Sequence, residues 1–295
     1  MKRIVSVLIL ISLALTFVGC GKKDRAFSSD SMTVYFFDVG QADCSLVLFP
    51  DGKAMLIDAG NRADGDFIVN HLNRLGIDTL DYFVLTHPHE DHIGGAEDIF
   101  KKFKILTVCL PNIPKEFEPD TGIFRDVSTA IEKENCRTLK LNSNTVIAAN
   151  ETYEITALNP HENAVYSDTN DWSLSLLVNC FTNTILFTGD CAQPAELEMI
   201  NSKINIDADI LKVGHHGSEN SSTEAFLKAT TPLASVISCG KDNTYNHPHI
   251  KAIERLNNIG SAVYRTDTVG TVIAKCYYGG FNIETDNSIC LDGNK

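Results

Sequence analysis

One seven-residue run constrains this chain more than any other feature. Thr86-His87-Pro88-His89-Glu90-Asp91-His92 begins where a short apolar segment, Tyr82–Thr86, reads as a buried strand. Alternate residues of an extended turn point the same way, so His87 and His89 can face one cation. Asp91 and His92 can then face a neighbouring one. Imidazole and carboxylate are suitable ligands for zinc and similar divalent metals. The plainer reading is a polar helix start with incidental histidines. Three His and one Asp within six residues argue against it. Gly94-Gly95 gives the loop room to turn and lets the following helix come close.

The rest of the chain offers a frame for such a loop. Met32–Val39, Cys44–Phe49 and Ala54–Asp58 read as strands separated by Gly-Gln and Pro-Asp-Gly turn signals. Asp66–Leu75, Ile93–Phe103 and Gly122–Asn135 read as helices, with a strand at Leu106–Leu110. Strands follow at Thr145–Ala149, Tyr153–Leu158, Ser173–Cys180 and Thr184–Thr188. The last third alternates helices near Pro194–Asn201, Ser222–Ala229 and Ile250–Asn258 with strands at Ala208–Val213, Ala234–Ser238, Ala262–Arg265 and Thr271–Cys276. This order predicts two sheets packed face to face with helices outside. In such layered folds functional groups collect where loops leave strand ends. Of the nine histidines, only His71 lies inside an ordinary helical pattern. The others follow predicted strands or precede helices.

The run at His87–His92 resembles the HxHxDH motif of the metallo-β-lactamase superfamily. The wider match resembles the hydrolase domain of ComEC/Rec2-type competence proteins. It rests on Phe37-Asp38-Val39-Gly40-Gln41-Ala42-Asp43, Leu56-Ile57-Asp58-Ala59-Gly60, Leu85 to Gly95, Leu186-Phe187-Thr188-Gly189-Asp190 and Leu211 to Ser218. Ile237 to Asn243, His247-Pro248 and Tyr264-Arg265-Thr266-Asp267 extend it. The resemblance implies an α/β fold, a four-layer αββα sandwich. It also implies a site for two divalent metal ions, zinc or alternatively manganese. The ligands it implies are His87, His89, Asp91, His92, Asp190 as a bridging carboxylate, and one of the pair His215-His216. His216 is the expected ligand and His215 the substrate or leaving-group contact, with the reverse assignment open. His161 is the one available further histidine ligand, and a solvated loop His is its plainer reading. Asp58 resembles an acid that orients a ligand imidazole, although a turn Asp has the same look. Asp91, His215 and His247 are the expected catalytic contacts. His247, Lys212 and Arg265 are candidates to meet an anionic group.

Two cations sharing one water lower its pKa and supply hydroxide near neutral pH. The expected activity is therefore metal-dependent hydrolysis, of a small or nucleic-acid phosphodiester first. An acyl substrate such as a β-lactam or lactone is the alternative, and a non-catalytic metal-binding surface lipoprotein the third reading. The formal net charge of −13 gives no general attraction for nucleic acid or anionic lipid. Lys2 and Arg3 before the apolar run Ile4–Val18 read as a signal segment over residues 1–20, with Cys20 as a candidate lipidation site. Residues 21–31 read as a polar tether and 32–295 as the hydrolase domain. The chain is thus expected to be exported and anchored to a membrane through a lipid. The other eight cysteines form no CxxC pair, and most sit in apolar runs as small hydrophobes, so no disulfide is expected of any given pair.

Overall fold

The computed structural model describes residues 27–291. The expected signal segment, Cys20 and residues 21–26 of the expected tether lie outside the described residues. The chain opens with strands β1 (Ser31–Phe36), β2 (Ser45–Leu48) and β3 (Ala54–Ile57), then helix α1 (Gly65–Arg74). Next come β4 (Thr79–Leu80), β5 (Tyr82–Val84), α2 (Glu90–Ile93), α3 (Ala96–Lys102), β6 (Lys104–Ile105), β7 (Thr107–Pro111) and α4 (Gly122–Glu134). Strands β8 (Arg137–Leu141), β9 (Thr145–Ala149), β10 (Tyr153–Asn159), β11 (Ser175–Cys180) and β12 (Asn183–Phe187) lead to α5 (Gln193–Asn201). The chain continues through β13 (Ile210–Lys212), α6 (Glu224–Thr230), β14 (Ala234–Ile237), α7 (Ile250–Asn258), β15 (Ala262–Arg265), α8 (Thr266–Val269), β16 (Thr271–Tyr277) and β17 (Gly280–Asp286).

Two large sheets result. One has the order β17-β16-β1-β2-β3-β5-β7-β8, the other β15-β14-β13-β12-β11-β10-β9. Side chains alternate across a strand, so each sheet feeds two apolar layers. Met32, Val34, Phe36, Met55 and Ile57 of the first sheet meet Ile155, Leu176, Val178, Ile185 and Phe187 of the second. Phe36 and Phe187 stack across this middle layer with centroids 5.9 Å apart. The alternate residues Leu46, Leu48, Leu56 and Phe83 point away, onto Ile68, Leu72, Ile99 and Val127 of α1, α3 and α4. Leu177, Leu186 and Leu211 likewise pack on Ala195, Met199, Phe226, Leu227 and Leu256 of α5, α6 and α7. Three buried apolar layers separate four structural layers: the αββα sandwich.

The predicted helix Ile93–Phe103 is divided. α2 stops at Ile93 and α3 starts at Ala96. Gly94 and Gly95 sit backbone to backbone against the 59–62 loop, where a Cβ on Gly94 would stand 2.3 Å from Arg62 N and one on Gly95 2.4 Å from Ala59 O. Besides the two-residue strands β4 and β6, two strands escaped the pattern reading, β8 and β17. Both are edge strands of the first sheet with mostly exposed or half-buried residues, so neither carries an apolar alternation. Among the described residues no helix is long and apolar enough to cross a membrane. The eight described cysteines are free thiols, six of them buried.

Candidate metal centre

The inner strands β3 and β5 of the first sheet are parallel, as are β12, β13 and β14 of the second. Their C-terminal ends open on one region, and the loops leaving them carry Asp58, His87, Asp190, His215-His216 and Ser238. Ligands gather at the carboxyl ends of strands for this topological reason.

Asp190 stands at the middle. Its Oδ1 is 3.3 Å from His92 Nε2, and its Oδ2 is 3.9, 3.6 and 3.8 Å from Nε2 of His87, His216 and His215. Its backbone N–H donates to Ser173 Oγ at 3.0 Å, and the close fit of Gly189 on Ser173 sets the turn. His92 is oriented from behind. Its Nδ1 lies 2.7 Å from Asp58 Oδ2, and Asp58 also accepts from the backbone N–H and the hydroxyl of Thr86. Asp58 holds this place with a left-handed φ of 61°. Its carboxylate therefore serves as the orienting acid, leaving His92 Nε2 aimed at Asp190. His216 is held in the same way by a carbonyl: its Nδ1 lies 3.0 Å from Ser238 O, and its Nε2 is 3.2 Å from Asp91 Oδ2. His87 Nε2 is 3.0 Å from His89 Nδ1, so these two rings form the other flank.

The neighbours His215 and His216 both adopt left-handed backbone, φ 50° and 53°, followed by Gly217 at 81°. A Cβ on Gly217 would come 2.5 Å from Pro248 Cβ, so the His247-Pro248 loop closes directly on this turn. The bend sends the two rings to different environments. The His216 side chain is 2% exposed and the His215 side chain 27%. His247 is buried 5.5 Å from the His215 ring and 6.2 Å from the His216 ring, centroid to centroid.

The acids and imidazoles of the cluster set one another's charge. Burial opposes ionisation of Asp190, yet His92 and His216 outweigh it and hold its pKa well below the carboxylate range. Burial likewise opposes a charge on His92, but Asp190, Asp58 and Asp91 raise its pKa well above the usual imidazole value. His87 moves the other way, lowered by burial and by His92. Burial and the rings of His216 and His215 push His247 down to about 4. Asp43, His92, Asp190 and His216 each offer one ligand atom, all within 4.8 Å of one another. Asp43 Oδ1, His92 Nε2 and Asp190 Oδ1 are buried without a hydrogen-bond partner. Converging buried donors of this kind are what a divalent cation satisfies. The residues present fit such an ion.

Three sequence expectations need correction. His161 does not join the cluster; its Nδ1 faces Glu198 Oε2 at 3.7 Å, beside a groove with Asn142 to Thr145. Lys212 is buried, 2.8 Å from Asp43 Oδ2, and is not free for substrate. Arg265 is paired twice with Asp267, at 3.0 and 2.6 Å. Asp43 itself carried no role in the sequence reading, although it closes one of the matched stretches; nothing local sets it apart.

Facing sheets with a buried His and Asp cluster at their strand ends define a metal-dependent hydrolase of the αββα class. The chain belongs to the Metallo-beta-lactamase superfamily, which matches residues 37–241. It is 33% identical over 264 residues to ComE operon protein 3 of Bacillus subtilis (strain 168), covering 81% of this chain and 32% of that protein. It is 31% identical over 253 residues to Recombination protein 2 of Haemophilus influenzae, covering 84% and 29% respectively. These likenesses place it with the ComEC/Rec2-type competence hydrolase modules, and the chain spans about a third of the length of these relatives. Among solved structures, the CmlA beta-hydroxylase E377D mutant shares the fold, with a TM-score of 0.53 and 13% identity over 80% of this chain and 52% of that one.

Proposed function

We propose that this chain is an exported, membrane-tethered hydrolase of phosphodiesters, nuclease-like in class, working with two divalent ions, zinc or alternatively manganese. His92, His216, Asp190 and Asp91 would hold one ion, and His87, His89 and Asp190 the other. When bound, such ions polarise a phosphoryl oxygen and lower the pKa of water at the site. The chain's own groups do the rest. Asp58 and the Ser238 carbonyl fix the two buried rings so that each presents Nε2. Water is the nucleophile in this reading, and the buried Cys191 thiol beside Asp190, its pKa raised by burial, stays protonated. His215, half exposed beside Asp190, can hand a proton from its ring to the departing alkoxide. His247 presents a neutral ring near pH 7 and serves as a hydrogen-bond partner to the substrate, in place of a cation.

The observation that carries this reading is the half-exposed imidazole of His215 set beside a buried ligand cluster, because an alkoxide leaving group needs an acid. The competence and recombination names of the relatives support a phosphodiester. Tethering through Cys20 rests on the sequence pattern alone. Purified chain with zinc or manganese is expected to turn over bis-p-nitrophenyl phosphate; folded protein inert with both metals would sink the proposal.

An acyl substrate is the second reading. It is favoured by an apolar cavity of about 520 Å³ that His87 and Pro88 border together with Leu85, Ile113, Phe124 and Ile131. Ring opening of nitrocefin or a lactone, without phosphodiester turnover, selects it.

A further inference from the structure

A buried ion pair lies beneath the centre and belongs to none of the ligand motifs. Asp43 stands in the turn between β1 and β2, and Lys212 ends β13. Their side chains are 6% and 4% exposed. The Lys212 ammonium donates to Asp43 Oδ2 at 2.8 Å and to the Val213 carbonyl at 3.1 Å. This fixes one carboxylate oxygen. The other, Oδ1, is buried without a hydrogen-bond partner. The same holds for His92 Nε2 and Asp190 Oδ1. These three residues and His216 are the group whose ligand atoms fall within 4.8 Å of one another. The backbone ties Asp43 to the same loops: its N–H donates to Asp91 O at 3.0 Å, and Gly60 N donates to Asp43 O at 2.9 Å.

A buried carboxylate oxygen without a partner is strongly unfavourable, and Asp43 carries one within a group of ligand atoms close enough to share a single cation. We infer that Asp43 is a ligand of the buried divalent ion, giving Oδ1, while Lys212 holds Oδ2 and sets the angle of the carboxylate. Lys212 also offsets one of the negative charges that Asp43, Asp91 and Asp190 bring together. The two ion positions are then unequal. The His92 side has an added anionic ligand, whereas His161 does not reinforce the His87/His89 side. The first ion is held more tightly than the second. The inference rests on the metal-hydrolase reading and names a ligand within it.

Cobalt(II) absorption and zinc retention in equilibrium dialysis test this on the full chain. Asp43→Asn is expected to change the cobalt ligand-field band and to weaken the tighter site at least about tenfold. Because this variant strands the Lys212 ammonium, Asp43→Asn/Lys212→Met is measured beside it, with circular dichroism to check folding. It is expected to fold and to show the same change. Lys212→Met alone leaves the carboxylate in place without its tether, and is expected to keep the ion and to change the cobalt band much less than Asp43→Asn does. If Asp43 is only Lys212's structural partner, Asp43→Asn and Lys212→Met will shift cobalt alike, or neither will; either result overturns the inference. Wild-type chain that takes up no cobalt or zinc overturns the metal centre as a whole. Wild-type chain that binds metal but cleaves no phosphodiester overturns the substrate proposal alone.

Discussion

His215 and His216 are adjacent in sequence and share a left-handed bend, yet they face different tasks. His216 is anchored at Nδ1 and buried among Asp91 and Asp190. His215 keeps a solvent-facing side. His216→Ala is therefore expected to lose bound metal, measured by elemental analysis. His215→Ala is expected to retain it and to lower kcat by about 10²–10⁴ on a dinucleotide, whose alkoxide needs a proton. On bis-p-nitrophenyl phosphate, whose leaving group departs without help, the loss is expected to be much smaller. Equal losses on both substrates would assign His215 another role. At this scale the HxHxDH run was legible because its candidate ligands sit within six residues, His87 and His89 before α2 and Asp91 and His92 on its first turn. Asp58 was half legible, since its orienting role depends on a histidine 34 residues away.

Between elements, contact is made by backbone as much as by side chains. Gly94 N donates to Gly60 O at 2.8 Å, and a Cβ at Gly94 would meet Arg62 N and the Asn61 carbonyl carbon. Gly94→Ala pushes the Asp58-bearing loop off the ligand loop. It is expected to cost about 2–4 kcal/mol in urea unfolding and to weaken metal retention. A second joint links α5 to the loop after His215-His216. Glu196 is 1% exposed and accepts the backbone N–H groups of Ser222 and Thr223. Burial raises its pKa from 4.5 to about 7 against those bonds. A carboxyl raised in the fold contributes stability that is complete below its unfolded pKa and lost as pH climbs through the folded one. The unfolding free energy from urea titrations is expected to fall between pH 5 and 8 by an amount on the order of 3 kcal/mol from this group. The Glu196→Gln chain is expected to lack that slope. An equal slope in both chains would place the charge elsewhere.

For the whole molecule, the site joins both sheets: Asp43, Asp58, Asp91 and His92 come from the first half, and Asp190 and His216 from the second. An ion held between them would tie the two halves of the sandwich together. Removing it by chelation is expected to lower Tm, by about 5–10 °C relative to metal at a hundredfold its Kd. Scanning calorimetry with and without chelator measures this. An unchanged Tm would mean that the halves are held by the middle apolar layer alone.

Strand alternation and the histidine run are local properties, and from them the sequence by itself determined the paired sheets, the outer helices and the core of the candidate ligand set. The edges β8 and β17 lay beyond such reading because an exposed strand carries no apolar rhythm. The split of the 93–103 helix lay beyond it because only the neighbouring backbone forbids a Cβ. His161 and Lys212 looked available in one dimension, and the tertiary structure turned one toward Glu198 and buried the other against Asp43. Asp43 and Lys212 are 169 residues apart. Their pairing arises only when the two sheets face each other, because a contact of that span is set by topology and leaves no trace in local spacing.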